Sequence, residues 1–123
     1  MTIPELYDSI GASYESAKRI LPMDKLIGKF VLKFLDDKSC EKLLAGYAAG
    51  NGTEIFEGAH ALKGVCANLG MDALSARASE IAEQFRPGHD RTMSDAELAA
   101  AIEDVRALYE SSVAGIRAYA AEQ

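Results

Sequence analysis

An all-α fold is what the sequence predicts: an up-and-down antiparallel four-helix bundle with one or two additional short N-terminal helices. Three observations lead there. Alanine is abundant, proline occurs only three times and β-branched residues are sparse, a balance that favours helix over sheet. Apolar residues recur three and four positions apart along most of the chain. The breaks between periodic stretches are short, and short connections make neighbouring helices run antiparallel.

The first stretch, from about Glu5 to Leu21, is weakly periodic and interrupted by Gly11, so it reads as one or two short helices that Pro22 ends. In "MDKLIGKFVLKFLDD", Leu26, Ile27, Phe30, Val31, Phe34 and Leu35 form one broad apolar stripe, with Asp24 as the expected cap. "DKSCEKLLAGYAAGN" offers Ser39 as a cap and puts Leu43, Leu44, Tyr47 and Ala48 on one face; the Gly-Asn-Gly at 50–52 stops it. A helix then starts near Asn51, with Glu54 in a capping-box position, and runs to Leu69 with Gly70 as its left-handed end. Leu74, Ala78, Ile81 and Phe85 mark the next helix, from about Asp72 to Phe85, and "RPGHD" at 86–90 is a loop. The last helix starts at Ser94, again with a glutamate, Glu97, three residues on. Leu98, Ile102, Val105, Tyr109, Ser112, Ile116 and Tyr119 give it a near-heptad stripe about 40 Å long at 1.5 Å per residue.

At 123 residues the chain suits one domain, residues 1–123, with the bundle core from about 23 to 120 and the N-terminal piece packed on one end or side. A hydrophobic content of 49% argues against disorder. The net charge of -6 disfavours partners with anionic backbones or head groups, so neither nucleic acid nor a membrane surface is expected. No apolar run reaches the roughly 20 residues of a membrane span. "MTIPELYDSI" has neither the basic nor the apolar region of a signal peptide, which points to the cytoplasm. Cys40 and Cys66 lack CxxC spacing and are expected to be free thiols, Cys66 as a small core residue.

The informative segment is "AHALKG" at 59–64. On a wheel of about 100° per residue, Ile55, Ala59, Leu62, Val65, Cys66 and Leu69 form the core face. His60 falls nearly opposite, beside Thr53, Phe56, Glu57, Lys63, Gly64 and Ala67. A lone surface histidine usually has no special role, but its neighbours here are unusual. Gly64 lies one turn on, inside the helix, where glycine costs roughly 0.5–1 kcal/mol relative to alanine. Facing water, it serves no packing need; what it offers is a close approach to the imidazole. Lys63 places a cation near the ring, and Phe56 with Ala67 suggests a docking patch. No triad partner, metal-ligand cluster or Gly-rich nucleotide loop accompanies the histidine. Imidazole is a competent nucleophile near neutral pH. Phosphoryl transfer from another protein, with Lys63 neutralising phosphoryl oxygens, suits this set.

"AHALKGVCANLG", residues 59–70, resembles the signature of histidine-containing phosphotransfer (HPt) domains, roughly His-x-Leu-Lys-Gly, four residues, then Leu-Gly. His60, Leu62, Lys63, Gly64, Leu69 and Gly70 match it, and helix order extends the resemblance over about residues 20–120. The resemblance implies a phosphoacceptor at His60, a phosphate-steadying Lys63 and an access-giving Gly64, with Phe56, Glu57 and Ala67 as partner contacts. It implies partners that are receiver domains of response regulators or hybrid kinases. No autokinase activity and no cofactor of the chain's own are implied, and the receiver brings the acidic pocket and Mg²⁺. Some members add a polar or basic side chain from the following helix, for which Arg77, Gln84 and Arg86 are the candidates. Many members have small residues where this chain has Val65 and Cys66; both are expected in the core, as a packing change only. A helical module that docks receivers without phosphotransfer is the alternative, although docking alone needs no histidine. A metal-dependent enzyme would need ligands that the sequence lacks. His89, Asp36 and Asp37 read as solvated surface, and Tyr109 and Tyr119 as core residues with wet hydroxyls.

Overall fold

Helices begin where a side chain satisfies the first free amides. The computed structural model, which describes residues 1–123, contains seven helices and no strand. They are α1 (Ile3–Ile10), α2 (Tyr14–Ile20), α3 (Asp24–Phe34), α4 (Ser39–Ala49), α5 (Gly52–Asn68), α6 (Asp72–Gln84) and α7 (Asp95–Ala121). Thr2 with Glu5 and Ser94 with Glu97 form complete capping boxes at α1 and α7. Ser13 Oγ accepts from the Ser16 amide, and Asn51 Oδ1 from the Glu54 amide, each at 3.1 Å.

Two expected caps are elsewhere. Met23 occupies the cap of α3 and makes no side-chain bond there. Asp24 is inside the helix, where its carboxylate accepts from Tyr14 Oη at 2.5 Å and Lys18 Nζ at 3.3 Å. Ser39 is likewise the first residue of α4 rather than its cap. Its amide and hydroxyl both donate to Asp37 Oδ2, so Asp37 is engaged and half-buried rather than simply solvated.

The four helices α4 to α7 close into an antiparallel bundle. α5 packs between α4 and α6, and α7 meets both α6 and α4. Turns of two residues (50–51) and three (69–71) reverse the chain on either side of α5. α7 is long enough to run beyond its bundle neighbours and touch α1 and α3 as well. One cluster of 26 buried apolar residues draws on all seven helices. The N-terminal piece therefore contributes side chains to the core. Leu6 and Tyr7 are fully buried, worth about 1.5–3 kcal/mol for each such side chain. Tyr7 Oη also donates at 2.6 Å to the Leu69 carbonyl at the end of α5. Met1 and Glu122 bring the two ends together, amine to carboxylate at 2.6 Å. No helix is long and apolar enough to cross a membrane.

The α4 face departs from the expected stripe. Leu43 and Gly46 are buried, Leu44 and Tyr47 half-buried, and Ala48 exposed. The reason is the closeness of α4 to α5. A Cβ at Gly58 would stand 2.5 Å from the Leu43 amide nitrogen and 2.8 Å from its Cα. The same closeness explains the buried glycine on α4: a Cβ at Gly46 would stand 2.9 Å from the Ile55 amide nitrogen of α5. Gly70 is constrained twice over, by a φ of 71° and by the Ser13 carbonyl oxygen, which crowds the place its Cβ would take. Its own carbonyl accepts from the Ser13 amide at 2.8 Å, which joins the end of α5 to α2. Gly58→Ala should lower stability by roughly 1–3 kcal/mol through forced separation of α4 and α5. Urea unfolding should give a lower midpoint with an unchanged slope; an unchanged midpoint would show that the helices part freely.

Candidate functional site

The core face of α5 is built from Ile55, Ala59, Leu62, Cys66 and Leu69, all buried. Val65 is the exception to the expected face: it is half-buried and lines a groove of about 310 Å³ with Ile20, Phe30, Phe34 and Leu69. Its position at the edge between α5 and α3 explains the difference, since Cys66, one residue on, is fully enclosed. Ile20 and Phe30 are among the few large apolar side chains left exposed.

Opposite the core face, His60, Gly64 and Ala67 are exposed, as is Glu57. Nothing lies within 4 Å of the position that a Cβ on Gly64 would occupy, in contrast to Gly58 one and a half turns earlier. Lys63 is half-buried; its carbonyl accepts from Ser75 Oγ at 2.9 Å, which fastens this turn of α5 to α6. No ion pair uses its ammonium group. Glu57 is engaged instead, receiving Lys42 Nζ of α4 at 2.8 Å. Phe56 is half-buried and stacks on the His60 imidazole, with centroids 5.5 Å apart and planes inclined by 20°.

The three side chains considered from the following helix separate clearly. Arg77 pairs with Glu80 at 3.2 Å and with Asp104 of α7 at 3.5 Å. Gln84 Oε1 accepts from the amides of Thr92 and Met93, both at 2.8 Å, and so anchors the loop before α7. Arg86 alone approaches the histidine face: its guanidinium carbon is 5.7 Å from the Phe56 centroid. Glu83 binds that guanidinium at 2.6 and 3.2 Å. Sequence reasoning passed over Glu83; its place three residues before Arg86 was the available signal.

No group of three or more His, Cys, Asp or Glu side chains is placed to hold a metal ion. Cys40 and Cys66 are unpaired and buried, and burial pushes each thiol up to about 12. Both should therefore resist a disulfide reagent such as DTNB at pH 8 in the folded protein, and both should react in denaturant. Rapid labelling of native protein would show that the core opens readily.

An exposed imidazole on a rigid helix, beside an unpaired ammonium group and a bare glycine, can accept a group from a second protein. Comparison with curated proteins and with solved structures gives no match. A family model, the Hpt domain, matches residues 34–113, from the last residue of α3 into α7 and across the whole histidine helix. That match spans well over half of the chain, and the chain belongs to the Hpt domain family, the phosphocarrier domains of histidine phosphorelays.

Proposed function

We propose that this protein carries phosphoryl groups on His60, taking them from an aspartyl phosphate of a receiver domain, or from a kinase, and passing them to another receiver aspartate. The observation that carries the reading is the open approach to His60 across Gly64, where nothing stands within 4 Å of a Cβ position. A ring nitrogen of neutral imidazole attacks phosphorus. The N–P bond forms as the P–O bond to the aspartate breaks, and the electron pair leaves with the carboxylate. The other ring nitrogen keeps its proton or releases it to water. Return transfer reverses these steps.

The chain supplies the acceptor, and Lys63 supplies positive charge toward the phosphoryl oxygens. The receiver supplies the acidic pocket and Mg²⁺, and this chain has no autokinase activity. The cytoplasm is the setting that suits such partners. The exposed positions Gly64 and Ala67 border the groove at Val65 and Asn68. We infer that an apolar surface of the receiver seats there while its aspartate reaches His60, with Phe56 and Glu57 at the margin.

The test mixes purified protein with a phosphorylated receiver and Mg²⁺. Wild type should acquire acid-labile, alkali-stable label, and His60→Gln should remain unlabelled with unchanged helicity by circular dichroism. Label retained in His60→Gln would overturn the assignment; a folded wild type that binds receivers without label would favour a docking module. Gly64→Gln should slow transfer about tenfold or more by keeping the reacting atoms apart, with little loss of stability. A normal transfer rate in stopped-flow quench would remove the access argument.

A further inference from the structure

Phe56 connects His60 to a second cation. The ring that stacks on the imidazole also carries the Arg86 guanidinium, 5.7 Å from its centroid. Arg86 lies just past the end of α6, and Glu83 holds it there through two nitrogen–oxygen hydrogen bonds. The Glu83 carboxyl is held below its ordinary range, first by that hydrogen bonding and also by the charge of Arg86, with smaller contributions from Lys63 and His89. One carboxylate thus holds the guanidinium that lies over the ring stacked on His60. Both members of the pair are about half exposed, and an ion pair of that kind is weak and readily exchanged.

We propose that Glu83 and Arg86 form an exchangeable pair that sets the lifetime of phosphohistidine at His60. In the bare protein Glu83 keeps Arg86 on the face of Phe56. A phosphoryl group brings close to two negative charges and three strong acceptor oxygens. Arg86 then leaves Glu83 for those oxygens, which match its forked donors better than a lone exposed carboxylate does. Glu83 competes for the guanidinium throughout and repels the phosphoryl charge once vacated. Glu83 is accordingly a positioning residue, acting through Arg86, and it weakens retention so that the group can be handed on. The inference rests on the relay reading of His60.

The experiment loads wild type, Glu83→Gln, Arg86→Gln and the double variant with phosphoramidate, a small donor that needs no receiver, and follows loss of phosphohistidine after the donor is removed. Glu83→Gln should lengthen the half-life about three- to tenfold and Arg86→Gln should shorten it, the size of effect that one charge-assisted hydrogen bond to the phosphoryl group produces when it is strengthened or removed. In the double variant the Glu83 effect should disappear. In wild type, the Arg86 Nε–H resonance should shift on phosphorylation. An unchanged half-life in Glu83→Gln, or the same lengthening without Arg86, would overturn the exchange. Absence of label on His60 in wild type would instead count against the relay reading itself.

Discussion

The approach of α4 to α5 at Gly58 is the constraint on which the remaining structure depends. With no side chain between the backbones, α5 is gripped along one flank, and α6 holds the other through Ser75 and the short turn at 69–71. The end of α5 is fixed by the pairing of Gly70 with Ser13 and by Tyr7 on the Leu69 carbonyl. A helix restrained in so many directions does not rotate to hide an exposed ring. His60 is consequently presented by a rigid element, as the group transfer proposed for it requires.

The family signature divides along the same lines. Leu62, Leu69 and Gly70 belong to the interior, and each is explained by burial or by an approach that no larger residue allows. His60, Lys63 and Gly64 belong to the open face. The motif therefore describes one helix seen from both sides, with the architecture and the chemistry interleaved at helical spacing. The His60 face is exposed, and the ion pair that reaches it over Phe56, Glu83 with Arg86, is of the modest strength of half-exposed charges.

Helix positions and the faces of α5 and α7 could be read from the chain because apolar periodicity and capping pairs are local signals. The caps at Ser94 and Asn51 satisfy amides within three residues of themselves. Asp24 and Ser39 failed as caps for nonlocal and neighbouring reasons: Tyr14 and Lys18 claim the first, Asp37 the second. Val65 looked like core on a wheel, yet a wheel does not know where the adjacent helix ends. The structural weight of α1 was equally hidden, since Tyr7 meets Leu69 across 62 residues of sequence. At the site, the exposed face was legible from one helix alone. The choice among Arg77, Gln84 and Arg86 was not, because it depends on how α6 lies against α5, on Asp104 from α7 and on the amides of the 86–93 loop.

The pairing of the Met1 amine with Glu122 gives the chain nearly the topology of a ring. Joining its two ends would need a linker of only a few residues, with little closure entropy to overcome. The chain could then be cut at an exposed turn such as 86–90 without separating α4 from α5 or altering the order in which helices surround His60. Adjacent termini also let the domain be spliced into a surface loop of a host protein as a single excursion, its histidine face left free.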